Sequence, residues 1–134
     1  MKHFFLLFTA LTLLIGCKKN NNEPDTILAD LSIVSTITPS TIIQGQDILV
    51  KVGCTGSDLC YKFARFDINE ISSRQFEVKT KATYPNSKKG DVVCPDVIYH
   101  VDTSFKINAS ARGQYIFKFY NKNLFFKADT VQVN

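Results

Sequence analysis

The sequence predicts a domain made only of β-strands in two packed sheets, and three observations support this prediction. Beyond residue 26, apolar and polar residues alternate with a period of two, which is typical of half-buried strands. Turn residues interrupt this alternation at intervals of about 8–12 residues, as they do in β-sandwiches. No segment combines helix caps at both ends with a period of 3.6. A sandwich satisfies all three observations.

The first three strands follow from the alternation and from the turns between them. Residues 31–37 (LSIVSTI) form a strand that ends at Thr38-Pro39-Ser40. Residues 48–54 (ILVKVGC) alternate as a half-buried strand, and a turn at residues 55–58 leads to a third strand at residues 60–68. All three are therefore short and bounded by turn formers.

The fourth strand spans residues 74–83. Phe76 and Val78 are expected to face the core, because the residues between and after them are charged and suit the solvent side. Pro95, after a long polar loop, rules out a central strand at that position. Residues 97–109 then form one bent strand or two short ones.

The last two strands, residues 114–120 and 124–133, flank the Asn-rich turn at residues 121–123 and form a hairpin. Gly113-Gln114-Tyr115 fits the tyrosine corner of immunoglobulin-like domains, while a tyrosine that only packs at a strand start is the alternative. About seven short strands in one domain predict an immunoglobulin-like β-sandwich.

The first sixteen residues have the layout of a cleavable secretory signal peptide. A basic start precedes an apolar run at residues 4–15, which is shorter than the ~20 residues that a membrane-spanning helix needs. Gly16 and Cys17 close the run, and the chain turns polar at Lys18. An ordinary secretory leader with an incidental cysteine is the alternative interpretation.

The tetrapeptide Leu14-Ile15-Gly16-Cys17 resembles the lipobox of bacterial lipoproteins. The resemblance implies that Cys17 becomes the N-terminus, that its thiol carries a diacylglycerol and that its amine is acylated. Two or three acyl chains hold a protein stably at a membrane, whereas one gives only marginal binding. The position after the cysteine is occupied by Lys18, and in this respect the chain resembles lipoproteins that are released to the outer membrane. We therefore expect a membrane partner through Cys17 and an outer-membrane location, on the periplasmic or the surface face.

The chain divides into a signal peptide at residues 1–16, a lipidated cysteine with a tether at residues 17–26, and one domain at residues 27–134. The segment KKNNNEPDT is polar and offers nothing to a core, so it is expected to be a flexible tether.

The chain has sixteen basic residues, one of them Lys2 in the leader, and twelve acidic ones, so the mature chain carries a net charge of +3. The lysines are scattered, which predicts a solvated surface and no nucleic-acid partner.

The domain resembles small Bacteroidetes lipoproteins with a single immunoglobulin-like domain. The resemblance covers residues 31–134 and is carried by these motifs: Gln44-Gly45-Gln46 before Ile48-Leu49-Val50, Cys60-Tyr61-Lys62-Phe63-Ala64-Arg65-Phe66, Cys94, Gly113-Gln114-Tyr115-Ile116-Phe117-Lys118-Phe119 and Thr130-Val131-Gln132-Val133. It implies the fold, but it implies no substrate, cofactor or catalytic residue.

Three cysteines remain once Cys17 is lipidated, and an exported chain with three is expected to hold one disulfide and one free thiol. The resemblance implies a Cys60–Cys94 disulfide, because both cysteines match the pattern while Cys54 is an addition to it. Two alternatives remain open at this point. One is a Cys54–Cys60 bridge across the turn, and the other is a zinc site formed by Cys54, Cys60, Cys94 and His100.

The sequence predicts no catalytic residue, no metal and no cofactor. His100 is the only histidine outside the leader, and no Gly-x-Ser-x-Gly elbow accompanies it. Asp67 and Glu70 lie at a strand end, where acids commonly serve as turn residues.

We expect a non-catalytic envelope module that binds a protein or glycan partner or serves a structural role. The alternative is a small envelope inhibitor or a lipid carrier. An exposed aromatic cluster would favour glycan binding, and a hollow between the sheets would favour a lipid carrier.

Overall fold

The structure is a computed structural model that describes residues 23–134. The predicted signal peptide and the lipid attachment at Cys17 lie outside these residues. Within residues 23–134, no helix has the length and hydrophobicity needed to cross a membrane.

The described chain folds as a two-sheet β-sandwich, which confirms the predicted fold class. It contains nine strands instead of about seven. The strands are β1 Thr26–Asp30, β2 Ser32–Ile37, β3 Thr41–Ile42, β4 Asp47–Gly56, β5 Lys62–Ser72, β6 Gln75–Pro85, β7 Tyr99–Asn108, β8 Gly113–Asn121 and β9 Leu124–Val133, with a short 3-10 helix at Ser87–Lys89 between β6 and β7. The segment expected as one bent or two short strands is the single strand β7. The two additional strands are β1 and the two-residue β3.

The larger sheet is built around β6. Strand β5 pairs antiparallel along one side of β6, while β8 and β1 share its other side, β8 next to the first half and β1 next to the second. Strand β9 continues from β8, and β3 joins β9 in parallel. The pairing of β6 with β8 is also parallel. Strands β2, β4 and β7 form the smaller sheet in that order.

The core lies between the two sheets and consists of the inward residues of nearly every long strand. In β6 the alternation is regular, because Phe76, Val78, Thr80 and Ala82 are buried while the residues between them are not. This pattern confirms the inward direction predicted for Phe76 and Val78. Each fully buried large apolar side chain contributes about 1.5–3 kcal/mol of transfer free energy. The largest buried side chains are Leu31, Ile33, Ile48, Val50, Val52, Val78, Phe117, Phe119, Val131 and Val133.

The tyrosine corner is present at the start of β8. The Tyr115 hydroxyl accepts a hydrogen bond from the Ala111 backbone N–H at 3.2 Å, and Tyr115 is buried. Gly113 has φ +119°, a conformation that side-chain-bearing residues rarely adopt. The glycine therefore allows the sharp entry into β8 that brings Tyr115 back over the preceding loop.

The expected boundary between tether and domain needs a correction. Strand β1 starts at Thr26, which pairs with Pro85. The residues just before it are also bonded to the domain, because the Asn86 side chain donates to the Pro24 carbonyl and the Asn86 backbone N–H donates to the Asp25 carbonyl, both at 2.9 Å. Composition suggested a tether through residue 26. Hydrogen bonds to the backbone of residues 24–26, which composition does not reveal, attach these residues to the domain.

Candidate functional site

A disulfide joins Cys60 to Cys94, with 5.5 Å between their Cα atoms and 34 residues of sequence separation. This is the pair that the family resemblance implied. The bond ties the long connection between β6 and β7 to the residues that precede β5. Two hydrogen bonds lie beside it: the Leu59 N–H donates to the Pro95 carbonyl at 3.3 Å, and the Cys60 N–H donates to the Asp58 carboxylate at 2.9 Å.

Among the cysteines of residues 23–134, Cys54 is the free thiol, and its side chain lies in the core on β4. Burial raises the pKa of the Cys54 thiol to about 11, and a hydrogen bond with Thr80 opposes this only in part. The thiol is therefore protonated at neutral pH, and thiolate chemistry needs the deprotonated form.

The four residues considered for a zinc site do not assemble. The sulfurs of Cys60 and Cys94 are bonded to each other, Cys54 is enclosed in the core, and His100 is exposed on β7. Asp58 lies close to both disulfide sulfurs, but a disulfide provides no thiolate for a metal.

The other residues considered for catalysis, His100, Asp67 and Glu70, each contact a residue close to them in sequence. His100 Nε2 lies 3.6 Å from Asp102 Oδ1, and both side chains are exposed. Asp67 forms an ion pair with Arg65 on the same strand at 2.7 Å. Glu70 accepts a hydrogen bond from the Arg74 backbone N–H at 3.1 Å, which stabilises the turn between β5 and β6. The two acids are engaged in separate contacts.

An aromatic pair lies on the outer face of the larger sheet, beside the hairpin of β8 and β9. Tyr120 and Phe125 are direct partners across the two strands, and their rings meet edge to face with 5.7 Å between centroids. Lys79 on β6 places its ammonium 5.9 Å from the centre of the Tyr120 ring and donates to the Asn123 side chain at 3.1 Å. We call Lys79, Tyr120, Asn123 and Phe125 the aromatic face.

A β-bulge explains why Phe125 lies on the outside. Val131 and Val133 are buried, so a strict period of two carried back along β9 would place Phe125 in the core. The register shifts between Phe119, which pairs with Lys127, and Tyr120, which pairs with Phe125. One extra residue in β9 reverses the direction of the side chains beyond it. Phe125 is consequently 59% exposed.

Sequence reasoning missed the aromatic face because apolar residues in strands are assigned to the core by default. The signal that could have found it is the crowding of three consecutive large apolar residues, Leu124, Phe125 and Phe126, after the hairpin turn. Strict alternation cannot bury three neighbours on one face, so a bulge or an exposed side chain has to follow.

A groove of about 440 Å³ lies on the outer face of the smaller sheet. Gly53 on β4 lines it between Ser35 on β2 and Asp102 on β7, and the Ser35 side chain packs directly over the glycine. Lys51 and Ser104 also line it. The groove is open, Ile37 and Val52 add apolar surface to it, and no aromatic side chain is among its lining residues.

The space between the two sheets is filled with side chains. Phe117 and Phe119 of β8 are fully buried there, and Phe117 packs against Phe76 and Phe105 from β6 and β7 with centroid distances of 5.4 and 5.9 Å. An acyl chain would have to displace these rings to enter the sandwich.

No known protein family, curated protein or solved structure matches this chain.

Proposed function

We propose that the protein is a non-catalytic lipoprotein of the cell envelope that binds a glycan on its aromatic face. The observation that carries this proposal is the pair of the exposed Phe125 and the half-buried Tyr120, with Lys79 and Asn123 beside it. Aromatic rings supply a flat apolar surface for the C–H groups of a sugar ring, while the ammonium and carboxamide groups can hydrogen-bond its hydroxyls. A sheet face with both kinds of group suits an extended carbohydrate.

The position of the aromatic face supports binding by a rigid surface. Tyr120 and Phe125 lie on paired strands, and Lys79 lies on β6, whose neighbouring residues Val78 and Thr80 are buried in the core. A site on paired strands holds its geometry better than a site on a loop, and less conformational entropy is lost when a ligand binds.

The alternative role of lipid carrier finds less support. The rings of Phe76, Phe105 and Phe117 occupy the space that a carried acyl chain would need. A hydrolase would need a nucleophile and a base within hydrogen-bond reach, or two acids that face one cleft. Asp67 and Glu70 instead form separate contacts with Arg65 and Arg74.

The binding test uses the full mature lipoprotein in detergent. Its affinity is measured for peptidoglycan sacculi, lipopolysaccharide and a panel of soluble polysaccharides. We expect Phe125→Ala to weaken binding about tenfold, which corresponds to a loss of roughly 1.4 kcal/mol of binding free energy. Leu49→Ala is the matched control, because Leu49 is an exposed apolar residue on the smaller sheet. Equal affinity of both variants, with unchanged thermal midpoints, would reject the aromatic face as the binding site.

The anchor is tested separately in cells. Cys17→Ala should abolish lipidation and move the protein from the membrane fraction to an unprocessed or soluble form, because the acyl chains supply nearly all of the membrane affinity. Intact-mass analysis of the wild type should give a chain that begins at an acylated Cys17. A mature chain that begins elsewhere and carries no lipid would refute the anchor.

A further inference from the structure

The connection between β6 and β7 exposes an unusual number of apolar side chains. We call residues 90–98 of this connection the disulfide loop, since Cys94 lies within it. Val93 is 93% exposed, the largest exposed fraction among the exposed large apolar residues of the described chain. The other exposed apolar residues of this region are Leu59, Val92, Val97 and Ile98.

The disulfide loop is held outside the core by several bonds. Cys94 is joined to Cys60, and the Pro95 carbonyl accepts from the Leu59 N–H. The Tyr84 hydroxyl, at the base of the loop, lies 3.1 Å from Asp58. These constraints restrict how far Val92 and Val93 can fold back onto the sandwich. Exposed apolar side chains of this kind commonly mark a surface that contacts a partner or a membrane.

The loop lies at the end of the domain where the chain enters from the N-terminus. The Asn86 side chain donates to the Pro24 carbonyl at 2.9 Å, just before the disulfide loop begins. Lys88 reaches Glu23 at 3.5 Å and Lys89 reaches Asp25 at 3.1 Å. The segment that would lead to the membrane anchor is thus bonded to the base of the loop.

Chain length limits the distance between this end and the lipid. Six residue steps separate Cys17 from Glu23, and a chain spans at most ~3.6 Å per residue, so the two are at most ~22 Å apart. The opposite end of the sandwich, where the Gly45 N–H donates to the Ala109 carbonyl, lies one strand length further away. A lipidated Cys17 would therefore hold the disulfide loop on the membrane side of the domain.

The charges around the loop indicate which force would act there. Two lysines, Lys88 and Lys89, are outnumbered by five carboxylates, those of Glu23, Asp25, Asp58, Asp91 and Asp96. An excess of acids does not attract anionic lipid. Contact with the bilayer would depend on apolar side chains, so it should be insensitive to salt and should not require anionic lipids.

We propose that the disulfide loop rests in the interfacial region of the bilayer that holds the Cys17 anchor, with Val92 and Val93 inserted among the lipids. This inference rests on the anchor in the proposed function. The loop would then be a second point of attachment, which restrains rotation of the domain about its N-terminal segment and fixes its orientation above the membrane.

Tryptophan fluorescence tests this inference cleanly, because the chain contains no tryptophan. Val93→Trp and Ile43→Trp are each prepared as full lipidated protein and reconstituted in phosphatidylcholine vesicles. Ile43 is the matched control, since it is an exposed apolar residue at the opposite end of the sandwich. We expect emission from position 93 to shift to shorter wavelength and to be quenched by lipids brominated near the head group. Emission from position 43 should do neither, and added salt should change nothing.

The possible failures are distinguishable by flotation of the vesicles. If both variants float and the emission of Val93→Trp stays unquenched, the anchor stands and the loop inference is wrong, as it would be if the loop docked to a protein. If neither variant floats, the anchor and the loop inference fail together. Equal thermal midpoints of the two variants show that the substitutions leave the fold intact.

Discussion

The side-chain carboxamide of Asn121 pairs with both backbone groups of Ile33. Asn121 Oδ1 accepts from the Ile33 N–H at 2.6 Å, and Asn121 Nδ2 donates to the Ile33 carbonyl at 3.2 Å. Asn121 ends β8 in the larger sheet, while Ile33 lies in β2 at the edge of the smaller sheet. Ile33 is 1% exposed, so water has little access to these backbone groups. The carboxamide supplies the partners that a neighbouring strand would otherwise supply.

We expect Asn121→Ala to lower the free energy of unfolding by about 1–3 kcal/mol, because it leaves a buried N–H and a buried carbonyl without partners. Asn121→Asp should also destabilise the protein, since a carboxylate can accept from the N–H but repels the carbonyl. Urea unfolding of the variants measures both effects. Asn123→Ala is the control, because Asn123 is an exposed residue of the same hairpin. Equal losses for Asn121→Ala and Asn123→Ala would contradict the role given to Asn121.

The Cys60–Cys94 disulfide should be a major source of stability. It closes a loop of 34 residues, and restriction of the unfolded chain by such a loop is worth about 3–4 kcal/mol in the chain-entropy treatment. We expect the double variant Cys60→Ala/Cys94→Ala to lose about that amount in urea unfolding, while Cys54→Ala keeps the bridge. Peptide mapping under non-reducing conditions checks the pairing. Recovery of a disulfide peptide that contains Cys54 would show that Cys54 is not the free thiol, and its partner peptide would show whether the alternative Cys54–Cys60 bridge forms.

The parts of the fold that local patterns determine could be predicted from the sequence. Alternation places Phe76 and Val78 in the core, and the Gly113-Gln114-Tyr115 segment marks the tyrosine corner that the Ala111–Tyr115 hydrogen bond completes. Both depend on residues a few positions apart along one chain segment.

The parts that depend on distant partners could not be predicted. Asn121 looks like a turn former, and its bond to Ile33 spans 88 residues. Strand β6 pairs in parallel with β8, but the other strands show the same alternation, so alternation does not indicate which strand is the partner. The bulge beside Tyr120, which exposes Phe125, depends on the register of the hairpin. The candidate site was missed for this last reason.

The buried thiol of Cys54 should make stability fall at alkaline pH. Burial raises its pKa from 9.0 to about 11, so between these values the unfolded chain loses a proton that the folded chain keeps. The thiol's contribution is therefore fully present below pH 9 and is lost as the pH rises towards about 11. Urea unfolding near each limit should show a steeper loss in the wild type than in Cys54→Ala.

Other groups also titrate in this range, but they are common to both proteins. The pKa of Tyr84 is raised by burial and by its hydrogen bond to Asp58, and the Cys54→Ala substitution leaves Tyr84 unchanged. The difference between the two pH profiles therefore isolates Cys54. Identical profiles, or rapid alkylation of Cys54 by iodoacetamide in the folded protein, would show that the thiol is not enclosed.

Gly53 and Gly56 of β4 each lie against a side chain, and replacing them with alanine tests how far that side chain can move. A Cβ atom at Gly56 would lie 2.6 Å from Cγ and 2.7 Å from Cδ2 of Tyr61, whose ring packs against Tyr84 at a centroid distance of 4.6 Å. A Cβ atom at Gly53 would clash with the Ser35 hydroxyl oxygen. A hydroxyl can rotate away at little cost, whereas an aromatic ring in contact with a second ring has to move as a whole.

We therefore expect Gly56→Ala to lower the free energy of unfolding by about 1–3 kcal/mol, the usual cost of overpacking. Gly53→Ala should change it by less than about 1 kcal/mol, since the stiffer unfolded chain offsets part of the cost by about 0.4–1 kcal/mol. Urea unfolding of the two variants side by side measures the difference. An equal or larger loss for Gly53→Ala would mean that the Ser35 hydroxyl cannot rotate. The Ser35 side chain would then be a rigid part of the groove wall at Gly53.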